Sequence, residues 1–349
     1  MDLVRLAVFV LGVALIVLYF RSISVAALLA QRRNDAVLRA VSWGVRMALR
    51  PRRDASFEQI QSRMDWFMPL QVLLTVVVWF SWLTLAFACL YWASGSVSNL
   101  GDALVASGSA LSTLGFFTPD NRVGHWLAIT EGMLGLIAVV YFFTFVPGFL
   151  AALQARANQV GWVAARAGQP PSAAQLLLWM HSPGAANDWP ALWSSSEQWF
   201  RQLAITHSAA PELMYMPSFI RGHSWTATAG CLLEAAAFAS AALRPDHIIN
   251  AHVSLKIGSA AINDLAAALG KHNATIDCNA TDSTTLDLEF DALWDRLAAN
   301  AAPLVPDRVS ARIRWHESRR GWTHALAAIA AEISAPAGLG LLVGQDKSR

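Results

Sequence analysis

The sequence predicts an all-α membrane protein, and three observations carry that prediction. Of 349 residues, 55% are hydrophobic and only 14% charged, where a soluble domain carries about 25% charged residues. The mean hydropathy is +0.39. Three apolar stretches are each long enough for the roughly 20 residues that cross a hydrocarbon core, and helical periodicity dominates the rest with few strand signals. Net charge is only +2, which gives no case for a nucleic-acid partner.

The first stretch lies in residues 1–30, with its apolar run from Leu6 to Phe20 between Arg5 and Arg21. A cleaved signal peptide ending at Ser24-Val25-Ala26 is the alternative. Against it stands the segment 31–65. With Arg32, Arg33, Arg39, Arg46, Arg50, Arg52, Arg53 and Arg63 it is a strong positive-inside signal. This places 31–65 in the cytoplasm and the amino terminus outside. Leu38, Val41, Val45 and Leu49 recur at helical spacing among the arginines, which predicts an amphipathic helix lying on anionic lipid headgroups. The alternative is a regulatory segment.

The second stretch, 66–93, holds no formal charge and runs outward. Residues 94–123 then face the exterior. Within them 100–112 read as a short helix rich in small residues, Ala103, Ala106, Ser107, Gly108, Ser109 and Ala110, which permit close helix approach in a membrane. The third stretch, 124–153, returns inward and carries one acid, Glu131. An acid inside a span is costly and marks a functional position. Gly135 and Pro147-Gly148 are its flexible points, since proline removes a helix hydrogen bond. They serve either as a gate hinge or, for Pro147-Gly148, as the end of the span.

Residues Thr113, Leu114, Gly115 and Phe116 follow the short helix. They resemble the Thr-Val-Gly-Tyr/Phe-Gly filter of potassium channels, with Phe117 where that family has its second glycine. Glu131-Gly132-Met133-Leu134-Gly135-Leu136 resembles the start of the inner helix in bacterial two-transmembrane channels. The resemblance implies a pore module over 66–153: outer helix 66–93, pore helix 100–112, filter 113–117 and inner helix 124–153. It further implies a homotetramer in the bacterial inner membrane, with K+ or Na+ coordinated by filter carbonyls and no other cofactor. Glu131 would support the filter from behind or influence conduction directly. A bulky residue resists the left-handed backbone that a filter glycine adopts. Phe117 therefore opens two alternatives, a non-selective cation pore and a non-conducting scaffold or sensor.

Residues 154–349 read as a cytoplasmic α-helical domain. Ser172 is expected to cap a helix toward His181, and Ser194-Ser195-Ser196-Glu197 to cap one over 198–207. Helices are also expected over 225–243, 253–270, 285–300 and 308–333. The run 225–243 is alanine-rich and is followed at once by Arg244, so it is read as a buried helix rather than a fourth span. Ser196-Glu197-Gln198-Trp199, Thr206-His207-Ser208 and Arg221-Gly222-His223-Ser224-Trp225 resemble the same region of bacterial membrane proteins named for this pore.

Other candidates for chemistry are thin. Cys89, Cys231 and Cys278 form no metal or disulfide pattern. His181, His207, His223, His247 and His252 do not place two ligands on one helix turn with a third nearby. Asn273-Ala274-Thr275 and Asn279-Ala280-Thr281 match a glycosylation pattern on the wrong side of the membrane. With no paired acids or nucleophile–base arrangement at the membrane, no enzymatic activity is expected.

Overall fold

A computed structural model describes residues 3–27, 35–50, 55–182, 189–244, 249–271 and 283–342. Arg32, Arg33, Arg52, Arg53, His247, Asn273, Cys278 and Asn279 lie outside these. The described residues are all-α, with thirteen α-helices and no strand. Leu3–Val25, the apolar part of Phe57–Ala93 and Arg122–Val140 are long and apolar enough to cross a membrane. This agrees with the membrane protein expected from composition. The chain divides into two units, one of residues 1–50 and 66–150, the other of 51–65 and 151–349.

The first unit contains α1 (Leu3–Ala27), α2 (Ala36–Ala48), α4 (Phe67–Ala93), α5 (Leu100–Leu111) and the first part of α6 (Arg122–Ala167). α1 lies against α4 where Gly12 removes the obstacle. A Cβ there would stand 3.0 Å from the Ala86 carbonyl and 2.9 Å from a Leu90 methyl. Trp79 Nε1 donates to Ser22 Oγ across the same pair at 3.3 Å. α2 starts because Asp35 accepts the Leu38 amide at 2.8 Å. Its Val41 and Val45 are buried while Trp43 and Met47 are exposed, so the apolar side is divided between protein and surroundings. α5 starts on Asn99, whose Oδ1 accepts the Asp102 amide at 2.8 Å. Many large apolar side chains of α1, α4 and α6 face outward, among them Val10, Leu73, Leu85, Met133, Ile137 and Phe143. A soluble protein avoids such a surface and a lipid-embedded one requires it.

α6 does not stop at Pro147 but continues to Ala167. Proline costs one helix hydrogen bond, which a helix this long absorbs.

The second unit comprises α3 (Phe57–Met64), the end of α6, α7 (Ala173–Met180), α8 (Trp189–Ala209), a 3-10 turn at Pro211–Tyr215, and α9 (Trp225–Ala242). It is completed by α10 (Ile249–Ala268), α11 (Ser283–Ala299), α12 (Arg308–Arg319) and α13 (Thr323–Glu332). α9 is its axis: every residue from Trp225 to Ala239 is buried. Its alanines and Gly230 let α7, α10, α12 and α13 close around it. The segment 335–342 lies along α9 so tightly that a Cβ on Gly230 would fall 2.2 Å from the Ala337 carbonyl. Glu234, fully buried in α9, accepts from Arg319 at 2.8 Å and from the Gly340 amide at 3.0 Å.

Three local expectations are corrected here. α8 is already helical at Trp189, so Ser194–Ser196 do not cap it. Their hydroxyls donate back to the Ala191 and Leu192 carbonyls at 2.8–3.1 Å, the internal alternative open to serine. Ser172 stands before α7 without a capping bond; its hydroxyl donates to the Leu341 carbonyl at 2.8 Å. The 308–333 run breaks at Arg320–Trp322 into α12 and α13, where Gly321 interrupts it.

Candidate functional site

In the first unit the chain turns out of α5 into an exposed loop. Ser112 through Phe116 are all exposed, Leu114 and Phe116 at 71% and 69%. Thr113 has φ +58° and Gly115 φ +66°. A β-branched residue there costs about 1–2 kcal/mol, and backbone strain of this kind concentrates at functional loops. The left-handed positions thus alternate at 113 and 115. Phe117 does not continue the alternation. Its amide donates to Ser109 Oγ at 3.0 Å, and its half-buried ring packs on the α4–α5 core. The Gly115 amide reaches the Ser109 carbonyl at 3.2 Å, so one serine holds the loop by both backbone and side chain.

Behind α5 lies Glu131, fully buried. Tyr91 donates its phenol to Oε2 at 3.1 Å, and Ser107 donates its hydroxyl to Oε1. The Ser107 hydroxyl has a second acceptor in the Thr84 carbonyl at 3.1 Å. One carboxyl group thereby joins α4, α5 and α6. On the same side of α6, Gly132 and Gly135 face the end of α5. A Cβ would lie 3.3 Å from the Ala110 carbonyl at Gly132 and 2.8 Å from the Leu111 carbonyl at Gly135. The flanks are stitched too: the Ser96 hydroxyl donates to Asn121 Oδ1 at 2.9 Å and the Asp120 amide to the Ser96 carbonyl at 3.2 Å. Thr113–Phe117, Glu131 and Gly135 are therefore one neighbourhood. Pro147 and Gly148 are exposed, with open space beside Gly148.

The second unit holds a separate buried polar cluster. Arg156 of α6 is 2% exposed. Its guanidinium donates to the carbonyls of Leu213, Met216 and Pro217 at 2.8, 2.6 and 3.0 Å. It also lies 3.2 Å from His207 Nε2. A guanidinium only donates, so Nε2 accepts and Nδ1 carries the proton. That proton goes to Thr206 Oγ1 at 2.7 Å, whose own hydrogen goes to the Gln202 carbonyl at 2.7 Å. Burial, reinforced by the Arg156 charge, holds His207 well below its ordinary value. Burial likewise pulls Arg156 down. His207 is thus a neutral acceptor and not a metal ligand. No group of three metal-ligating side chains occurs among the described residues.

Gln61 of α3, 3% exposed, completes this cluster. Its Nε2 donates to the Ser218 and Ile220 carbonyls at 2.9 and 3.0 Å, and its Oε1 accepts the Gly222 amide at 2.8 Å. Sequence reasoning singled out neither Gln61 nor Arg156. Elsewhere, a cleft of about 590 Å3 is lined by Leu286, Asp287, Arg312, Ile313, His316 and Leu339. Of its lining, Arg312 pairs with Asp291 at 3.2 Å and His316 Nε2 lies 2.7 Å from Asp287 Oδ1.

No known family, characterised protein or solved structure matches this chain.

Proposed function

We propose that this chain is a subunit of a cation-conducting pore assembled from four copies in a bacterial inner membrane, with potassium as the ion. The observation that carries the reading is the exposed loop after α5, in which left-handed residues alternate at Thr113 and Gly115. Such alternation turns successive peptide planes so that carbonyls face one side, the arrangement that replaces an ion's hydration shell. The loop sits at the carboxy-terminal, partially negative end of α5. Ser109, Gly132, Gly135 and Glu131 brace it from behind, which suits a backbone that must keep its shape while ions pass.

One such loop cannot enclose a path, and closed symmetry supplies the other walls. Thr113, Leu114, Gly115 and Phe116 offer the carbonyls. The exposed apolar faces of α5 and α6 meet neighbouring copies or lipid. The amino terminus is outside, the helical unit cytoplasmic, and the arginines of the 31–65 segment face anionic headgroups. The helical unit assembles the tetramer or biases the gate, and Pro147-Gly148 is the place in α6 where packing leaves room to bend.

Flux of K+ and Na+ from liposomes holding the purified protein, with its mass measured, tests this. K+ flux that excludes Na+ is expected. Equal flux of both ions marks a non-selective pore. A folded tetramer that passes neither ion refutes conduction. That last outcome belongs to the second reading, a non-conducting scaffold or sensor, which Phe117 favours because its tied amide and packed ring end the alternation. Under that reading Phe117→Gly creates conductance where the parent has none.

A further inference from the structure

The segment 211–222 is held along its length by two side chains that bond its backbone, one of which, Arg156, also lies against His207 and Trp225. Arg156 takes the carbonyls of Leu213, Met216 and Pro217. Gln61 takes the carbonyls of Ser218 and Ile220 and the amide of Gly222. Both gripping residues are nearly fully buried, and the bonds to Leu213, Met216 and Ser218 are buried as well, so a carbonyl released at those three positions has little water to replace its partner. The two sets of bonds are adjacent, with Pro217 and Ser218 consecutive.

The gripping residues come from telling places in the chain. Gln61 lies in α3, and only Asp65 and Trp66 separate α3 from α4. Arg156 lies in α6 itself. The apolar helices α4 and α6, which bracket α5 and the exposed loop 112–116 in sequence, are therefore joined directly to residues that hold the same twelve-residue segment.

We propose that 211–222 is the transmission element of this protein, through which anything that binds or displaces the helical unit acts on α4 and α6 together. Gln61 and Arg156 are its positioning residues. The functional half of this inference rests on the pore reading; the mechanical half does not.

Hydrogen exchange on the full-length protein in liposomes tests the mechanical half. Gln61→Leu removes three bonds without touching α6, and Arg156→Gln removes the fork without touching α3. Arg156→Lys, which keeps the charge and loses the fork, stands in if Arg156→Gln does not fold. Gln61→Leu is expected to speed exchange at least fivefold across 211–217 and in the 153–160 stretch of α6. The Arg156 variant is expected to do the same across 218–222 and in α3, and the double variant to add little to either. Loosening confined to the bonds each variant breaks, or multiplying in the double variant, overturns the proposal. Flux per tetramer tests the functional half: each single variant is expected to change it at least threefold, and unaltered flux in a conducting parent overturns transmission to the pore. A parent that never conducts refutes the pore reading alone, and the exchange pattern still decides the mechanical claim.

Discussion

Glu131 separates two explanations of a buried acid in an apolar helix: that its charge is needed, or that its two hydrogen bonds are. The carboxyl accepts from Tyr91 and Ser107, and Ser107 has a second acceptor in the Thr84 carbonyl at 3.1 Å. In Glu131→Gln the amide oxygen still accepts the Tyr91 phenol. Ser107 turns its proton to the Thr84 carbonyl and accepts one N–H of the new NH2 group, so the Tyr91 and Ser107 hydroxyls both keep acceptors. The expected cost is under about 1 kcal/mol, the ordinary scale of one exchanged hydrogen bond. In Glu131→Ala the phenol of Tyr91 loses its acceptor, three helices lose their common link, and a cavity opens. A stranded buried polar group costs about 1–3 kcal/mol and a cavity adds to it, so roughly 2–5 kcal/mol is expected. At about 3 °C per kcal/mol, thermal unfolding in detergent should fall by roughly 6–15 °C for Glu131→Ala and by no more than about 3 °C for Glu131→Gln. Equal losses in the two variants would refute the hydrogen-bond account and assign the role to charge.

Four further outcomes are expected. Gly135→Ala sets a methyl 2.8 Å from the Leu111 carbonyl, a backbone atom with little freedom; overpacking of about 1–3 kcal/mol should lower the unfolding temperature and change flux, where Gly148→Ala, with open space beside it, does neither. Ser109→Ala strands the Phe117 amide at a cost of about 1–3 kcal/mol; Ser109→Thr, which keeps the acceptor, should retain parent flux. Arg319→Met leaves Glu234 buried against a single amide, and a broken buried pair costs about 3–5 kcal/mol, which urea titration of the second unit reads directly. Glu289 is raised above its ordinary 4.5, chiefly by burial, with Glu234 adding to the rise and the Leu341 and Leu342 amides and Arg319 opposing it. A carboxyl raised on folding adds stability that is fully present below the unfolded value and lost as pH climbs through the folded one. Unfolding temperature should therefore decline as pH rises above 4.5, and Glu289→Gln, whose amide oxygen still accepts, should flatten that decline.

The apolar helices were legible because length and freedom from charge suffice to mark them. α9 was legible as buried rather than spanning because alanine contributes little to membrane transfer and Arg244 follows at once. What escaped sequence reasoning shares one cause: the partner lies far away or is backbone. Ser107 and Ser109 read as small residues for close packing. Their hydroxyls matter because Glu131 is 24 residues on and the Phe117 amide 8 residues on. Gln61 and Arg156 bind carbonyls 57 to 159 residues distant, and a carbonyl has no identity in a sequence. The serines of α8 were misread because a hydroxyl near a helix start and one bonded back inside a helix look alike until the start is known. The break at Arg320–Trp322 had a signal in Gly321, which is weaker than the helical periodicity on either side.

The burial of α9 on all sides bears on how this protein can drift. A helix such as α12, which buries only Ala311 and Trp315, offers most of its circumference to neutral change. α9 offers none. Enlarging Ala229, Gly230, Ala235, Ala236 or Ala237 meets neighbours already in contact, and shrinking an alanine leaves only glycine, which costs about 1 kcal/mol in a helix interior. A saturation-mutagenesis survey of 225–242 should find intolerance with no 3.6-residue rhythm. Innovation in the helical unit is then confined to its outer helices, while its axis stays nearly fixed in composition.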